Sequence, residues 1–402
     1  MKVLHVIASM EPSSGGPSQG IRNIDKTMRD MTVVREVVCL DSPDSPYLNK
    51  DNLQIHALGI GKGPWRYQPQ LITWLTGNIC RFDVVIINGL WSFHSYAAWK
   101  VIKSLKKSLP ANELPRVLVM PHGMLDPYFQ RAKERRLKAL RNWFYWKLIE
   151  NKVINDADGL LFTCETEMLL ARKTFKNYRP KKEYNVGYGI EAPPSYNEEM
   201  KTAFRESCPG LKDHSPYLLF LSRIHSKKGI DMLIKAYIDL HKSMMHKLAP
   251  EKLPKLVVAG PGLNSRFGRS LQEQLARTPQ FKGEVFFPGM LSGEAKWGAF
   301  YGCEAFILPS HQENFGIAVV EAMACGKPVL ISNQVNIWRE ILTEGGGIIE
   351  EDNQVGVENM LSRWTSLKAD KKAQMSKKTL EVYQNNFTVN QYATNVLKTL
   401  VE

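Results

Sequence analysis

The chain has 402 residues, long for one hydrophobic core, and its 44% apolar content is that of an ordinary globular protein, so two domains are expected. No run approaches the roughly 18 uninterrupted apolar residues that a membrane-spanning helix needs, so no segment reads as one. A formal charge of +13 with a pI near 9.3 narrows the partners to phosphates, nucleic acid or an anionic membrane face.

The opening "MKVLHVIASM" is too short and too interrupted for a secretory signal and reads as a buried first strand. Strand-like apolar runs then recur with helix-length segments between them: "VLHVIA" (3–8), "TVVREVVCL" (32–40), "FDVVIIN" (82–88), "RVLVMP" (116–121) and "GLLFTC" (159–164). The Pro-rich "EAPPSYNEE" (191–199) breaks the pattern and reads as a linker. The pattern restarts with "YLLFLS" (217–222), "KLVVAG" (255–260), "GEVFFPG" (283–289), "EAFILP" (304–309) and "PVLIS" (328–332), and "FTVNQYATNVLKTLV" (387–401) has the spacing of a last helix. Strands alternating with helices predict two consecutive α/β domains with parallel sheets. The cysteines at 39, 80, 164, 208, 303 and 325 lack paired spacing and mostly sit in apolar runs, which predicts free buried thiols in a reducing cytosol, not disulfides or a zinc site.

Ligands of open parallel sheets collect outside the carboxyl ends of the strands, so the residues after each strand matter most. After the first strand, "SMEPSSGGPSQGI" (9–21) offers Gly15 and Gly16, where backbone can approach a ligand closely. No Gly-Lys-Ser/Thr follows, so it is not a P-loop, and the glycines of "GIGKGP" (59–64) run into Pro64 and Trp65 where a helix should open. "VMPHGMLDPY" (119–128) sets His122 after a strand, and "FLSRIHSKKGID" (220–231) places Arg223 and Lys228 about a turn before a helix, a design suited to a diphosphate. "HQENFGIAVVEAMACG" (311–326) puts Glu313 in a strand-end loop and Glu321 about a turn into the following helix, with the N–H groups of Asn314, Phe315 and Gly316 at the helix start. The bland alternatives are a helix-cap acid for Glu313 and a solvated face for Glu321.

Taken in order, the Gly-Gly loop, His-Gly, "SRIHSKKG" and "ENFGIAVVEAMACGKPVL" resemble the family 4 retaining glycosyltransferases of GT-B fold. The resemblance implies two Rossmann-like domains whose parallel sheets face a central cleft: an acceptor-binding domain over 1–192, a nucleotide-sugar-binding domain over 193–385, and a C-terminal helix over 386–402 returning to the first domain. It implies Arg223 and Lys228 on the donor diphosphate, Glu313 on donor-sugar hydroxyls with the backbone of Asn314, Phe315 and Gly316, and Glu321 on the ribose. It further implies Gly15 and Gly16 near the phosphates, His122 near the transferred sugar, and Gly260, Gly262 and Met290 by the base and ribose. The donor would be a UDP- or GDP-linked sugar acting as co-substrate, with no cofactor and no metal. "DAD" (156–158) spells a metal-binding Asp-x-Asp, but it precedes a strand, the end away from the cleft.

For the acceptor, a glycan or lipid-linked glycan, "NGLWSFHSY" (88–96) offers Asn88, Trp91 and Ser92 after a strand, with core packing as the alternative for the Trp. In 129–152, Leu137, Leu140, Phe144 and Leu148 recur at helical spacing among Arg131, Lys133, Arg135, Arg136, Lys138 and Arg141. Such a helix either meets an anionic membrane or packs its stripe on its own domain. The expectation is a cytoplasmic enzyme, peripheral on the inner membrane face, in surface polysaccharide assembly; a 2-epimerase-like enzyme and a non-catalytic nucleotide-sugar-binding subunit are the alternatives. No recognised motif supports nucleic-acid binding.

Overall fold

The computed structural model describes residues 1–12, 15–48, 52–132, 135–244, 253–278 and 281–402. They form two compact units, Met1–Gly189 with Val389–Glu402, and Ile190–Thr388.

In the first unit, β1 (Lys2–Ile7), β2 (Val34–Cys39), β3 (Gln54–Ala57), β4 (Val84–Asn88), β5 (Arg116–Met120), β6 (Gly159–Phe162) and β7 (Glu183–Asn185) form a parallel sheet in the order 3-2-1-4-5-6-7. Neighbouring residues feed opposite faces: Val38, Leu4 and Val85 pack into one core cluster, Val37, Ile7 and Cys39 into another. Burial on both faces is why β4 reads "VVIIN", all apolar until its last residue. The helix Val389–Val401 belongs to this unit. It buries Tyr392, Val396 and Leu400, stacks Tyr392 on Tyr188 at 5.4 Å, and accepts at the Thr399 carbonyl from Arg116.

In the second unit, β8 (Tyr217–Leu221), β9 (Lys255–Ala259), β10 (Val285–Gly289), β11 (Ala305–Leu308), β12 (Val329–Ser332) and β13 (Gly347–Glu350) form a parallel sheet in the order 10-9-8-11-12-13. Both sheets reverse strand order beside their first strand, between β1 and β4 and between β8 and β11. Crevices at such reversals are where α/β sheets bind ligands. The ends of these four strands and the segments that follow them carry Gly15 and Gly16, Asn88 to Ser92, Arg223 to Lys228, and Glu313.

Three strands are absent from the sequence expectation: β3, β7 and β13, four, three and four residues long. The first two lie at sheet edges and are only partly buried, so they lack the long apolar run that marks a central strand. The single basic helix expected over 129–152 is interrupted. Tyr128–Arg131 is one turn, Arg136–Tyr145 an α-helix, Trp146–Glu150 a π-helical turn and Asn151–Asp156 α-helix again; Lys133 lies outside the described residues. Its apolar stripe does not pack on its own domain: Leu137 is 85% exposed, Leu140 54%, Phe144 51% and Leu148 66%. Among the described residues, no helix is long and apolar enough to cross a membrane. All six cysteines are free; Cys80 is exposed and Cys325 half-buried, and the other four are buried.

Candidate functional site

In the second unit the chain leaves β8 through Arg223 into a 3-10 turn, Ser226–Lys228, which Gly229 ends at φ +66° before the helix Ile230–Met244. The loop after β11 is laced to this turn: the His311 N–H donates to the Lys227 carbonyl at 2.8 Å. A Cβ on Gly229 would lie 2.0 Å from the Pro309 carbonyl oxygen, so only glycine permits this approach. The lacing brings Lys228 and Glu313, 85 residues apart, into a short charge-assisted contact from Nζ to Oε2. Lys228 is buried; the Glu313 backbone is fixed by its N–H to the Gln334 carbonyl at 2.9 Å and by the Asn336 N–H to its own carbonyl at 3.0 Å. Arg223 is exposed and has no ion-pair partner among the described residues. Gly229→Ala is expected to cost about 2 kcal/mol or more in urea unfolding, from left-handed strain and the collision with Pro309; a loss below about 0.5 kcal/mol would contradict this packing.

Gly316 starts the helix Ile317–Ala324 from a left-handed conformation at φ +81°, and Gly326 follows its end at φ +68°. Phe315 turns its ring inward against Phe387 at 5.6 Å, so what it offers a ligand is backbone. Glu321 pairs with Lys296 at 2.7 Å; burial raises its carboxyl pKa and Lys296 opposes the rise. Neither bland alternative describes the glutamates, since each carboxylate holds its own lysine. Gly260 and Gly262 are required by backbone packing, because a Cβ there would lie 1.9 Å from the Ser222 carbonyl oxygen and 2.6 Å from that of Ile224. Met290 is 75% exposed just past β10.

In the first unit His122 stands at the end of β5 at φ +53°, uncommon for a residue with a side chain, and Gly123 follows at φ +78°. Glu167 holds the turn, accepting from the Gly123 N–H at 2.5 Å and the Thr163 N–H at 2.8 Å. The His122 Nε2 lies 3.1 Å from the Asn88 side-chain oxygen, and burial pushes the imidazole down to about 3, so it is neutral at pH 7. Asn88 also lies 3.2 Å from His5 Nδ1, and Arg35 donates to His5 Nε2 at 3.2 Å. Asn88 and Ser92, with Ser9, Ser18, Arg66 and His94, line a cavity of about 370 Å³. Trp91 is not in that wall: its ring tilts against Phe175 at 5.7 Å and packs on the core, which corrects the expectation of a flat sugar platform. Gly15 has φ +94°, Gly16 opens a helix, and a Cβ on either would meet nothing within 4 Å among the described residues.

The structure thus joins Lys228 with Glu313 and His122 with Asn88, while Glu321 pairs with a different lysine, Lys296. Lys296, Arg66 and the His5–Arg35 pair escape the sequence reading because a lysine in "GEAKWG" or an arginine in "VREVV" looks like any surface charge. The two aspartates of "DAD" are occupied structurally: Asp156 accepts from Trp99 Nε1 at 2.8 Å, and Asp158 from the Val117 N–H and Lys181, each at 2.9 Å.

Residues 205–381 match the family model described as glycosyl transferases, group 1. An uncharacterized glycosyltransferase of Methanocaldococcus jannaschii is 32% identical over 171 residues, 41% of this chain and 40% of that protein. The alpha-monoglucosyldiacylglycerol synthase of Streptococcus pneumoniae is 30% identical over 189 residues, 46% of this chain and 39% of that protein. The chain therefore spans about 40% of the length of the curated relatives it matches. Among solved structures, Anabaena HepE in complex with UDP and glucose has a TM-score of 0.71 at 17% identity, covering 100% of both chains. The fold is that of the GT-B glycosyltransferases, with two Rossmann-like α/β domains.

Proposed function

We propose that the chain is a retaining glycosyltransferase that moves a sugar from a nucleoside-diphosphate donor to a hydroxyl of a glycan or lipid-linked glycan. The observation that carries this is the Lys228–Glu313 contact at the β8–β11 reversal, inside the segment that matches the group 1 family. In this reading Arg223 and Lys228 receive the diphosphate, Glu313 and the backbone of Asn314 to Gly316 hold sugar hydroxyls, and Glu321 holds the ribose. Glu313 also keeps the Lys228 ammonium oriented before the donor arrives.

The bond from the anomeric carbon to the outer phosphate oxygen breaks, its electron pair leaving with the phosphate. The acceptor oxygen bonds to the same face, and its proton passes to the departing phosphate. Fixed cations and helix-start N–H groups stabilise the charge that develops, work for which this chemistry calls for no divalent metal. In this reading neutral His122, whose ring is held on Asn88, is the candidate to hydrogen-bond a hydroxyl of the transferred sugar. Anabaena HepE, whose structure holds UDP and glucose, supports UDP as the first donor base to try. Incubation with a panel of UDP- and GDP-sugars and a lipid-linked glycan fraction, read by proton NMR at the anomeric centre, tests the reading. Retained configuration in an acceptor-bound product is expected; donor converted without acceptor would favour the epimerase-like alternative, and inverted product would refute retention.

A second observation bears on location. The exposed face of Leu137, Leu140, Phe144 and Leu148 lies on a helix carrying Arg136, Lys138, Arg141 and Lys147. An apolar face rimmed by cations suits the boundary of an anionic bilayer. The enzyme is then cytoplasmic and peripheral on the inner membrane face, placed for surface polysaccharide assembly. Vesicles rich in phosphatidylglycerol are expected to sediment the wild-type protein, and Leu137→Ser with Phe144→Ser to weaken binding at least about tenfold. Unchanged sedimentation of the double variant would remove this helix as the contact.

A further inference from the structure

The loop after β4 turns through two left-handed residues, Gly89 at φ +84° and Trp91 at φ +68°. Glycine adopts this conformation freely, but a bulky side chain does so only where its surroundings hold it. The holding bonds can be traced. The Gly89 N–H donates to the Met120 carbonyl at 2.9 Å, the Leu90 N–H to the Met124 Sδ at 3.1 Å, and the Trp91 N–H to the Glu150 Oε1 at 2.8 Å. The Ser95 Oγ lies 2.9 Å from both Glu150 Oε1 and the Ser92 carbonyl oxygen, tying the carboxylate to the next residue of the loop.

Glu150 ends the π-helical turn Trp146–Glu150, and it is completely buried. The turn directs Trp146 inward as well, stacked on Phe175 at 4.6 Å, the ring that Trp91 also meets. Oε2 has no hydrogen-bond partner among the described residues. A buried carboxyl with one oxygen unsatisfied is costly for folding alone, and a π turn inserted in a helix frequently marks a functional position.

We propose that Glu150 is a positioning residue for the acceptor side of the site: it fixes the strained Trp91 backbone and so sets where Asn88 and Ser92 stand in the cavity wall. This rests on the glycosyltransferase reading above, with Asn88 and Ser92 facing the acceptor. Glu150 touches no substrate and acts only through the loop. Trp91 serves by its backbone and its packing.

Two variants separate this role from simple structural support. Glu150→Gln keeps an oxygen for the Trp91 N–H; Glu150→Leu keeps the volume and removes the acceptor. In the transfer assay, Glu150→Leu is expected to raise the acceptor KM about tenfold, the effect of losing the hydrogen bond that holds the Trp91 amide, while the donor KM stays within about twofold. Glu150→Gln is expected to restore the acceptor KM to within about threefold of wild type. Chain labelled with 15N-tryptophan gives an independent readout, because the Trp91 amide should exchange faster in Glu150→Leu and remain protected in Glu150→Gln. Should Glu150→Leu fail to fold, Ser95→Ala is expected to raise the acceptor KM and not the donor KM, by a smaller factor. A folded Glu150→Leu with wild-type acceptor KM overturns the proposal, as does a Ser95→Ala with no change where it is the variant used. If wild type transfers no sugar, the transferase reading fails separately, and Trp91 amide exchange that is unchanged in Glu150→Leu would still overturn the clamp.

Discussion

Lys228→Ala is expected to lower kcat by about 10²–10³-fold, the usual consequence of removing one preorganised stabiliser of developing charge. Glu313→Ala should fall in the same range, because it removes a sugar contact and frees the ammonium that Glu313 orients. Each single change also leaves one charge of a mostly buried pair alone, at a cost of about 1–3 kcal/mol in stability. The double variant separates the two effects. With both charges gone stability should largely recover, while turnover stays at the level of the worse single variant. Recovery of turnover along with stability would mean that the pair only holds two loops together. Near-wild-type activity in both single variants would sink the site assignment altogether.

The second large effect concerns pH. Burial raises the Glu150 carboxyl from 4.5 to about 7, opposed by the hydrogen bonds from Trp91 and Ser95. In the unfolded chain this carboxyl ionises near its ordinary value, whereas in the folded protein it keeps its proton to higher pH. The folded state thus binds more protons between about pH 4.5 and 7, and stability falls as pH rises through that window. The contribution is fully present below about pH 4.5, and on the order of 3 kcal/mol of it is lost above pH 7. Glu150→Gln does not titrate, so its unfolding midpoint should decline less between pH 5 and 7.5 than that of the wild type. Parallel pH profiles would show that Glu150 is ionised throughout.

Much of this architecture is legible in the chain because buried parallel strands need apolar side chains on both faces. Runs such as "VVIIN" and "YLLFL" therefore announce themselves, and the residues after them mark the crevices. Gly15, Asn88, Arg223 and Glu313 all lie at or just after the ends of strands that flank the two order reversals, for that reason. What escapes is set by contacts between distant segments. β3 and β7 are short edge strands with weak apolar signal, and Lys296 is drawn to Glu321 by tertiary packing alone. Glu150 reads as one more solvated helix charge in "WKLIENK", because a π turn that rotates it inward has no signature in residue type. Trp91 errs the opposite way: an aromatic in a strand-end loop suggests a sugar platform, yet the positive φ turns its ring onto Phe175.

The most direct test of the donor site is calorimetric titration of UDP and GDP into wild type and Lys228→Ala, each with and without EDTA. One nucleotide is expected to bind wild type equally well with and without EDTA, and Lys228→Ala to weaken that binding about tenfold or more. Equal binding by the variant, binding that EDTA abolishes, or no binding of either nucleotide would contradict it.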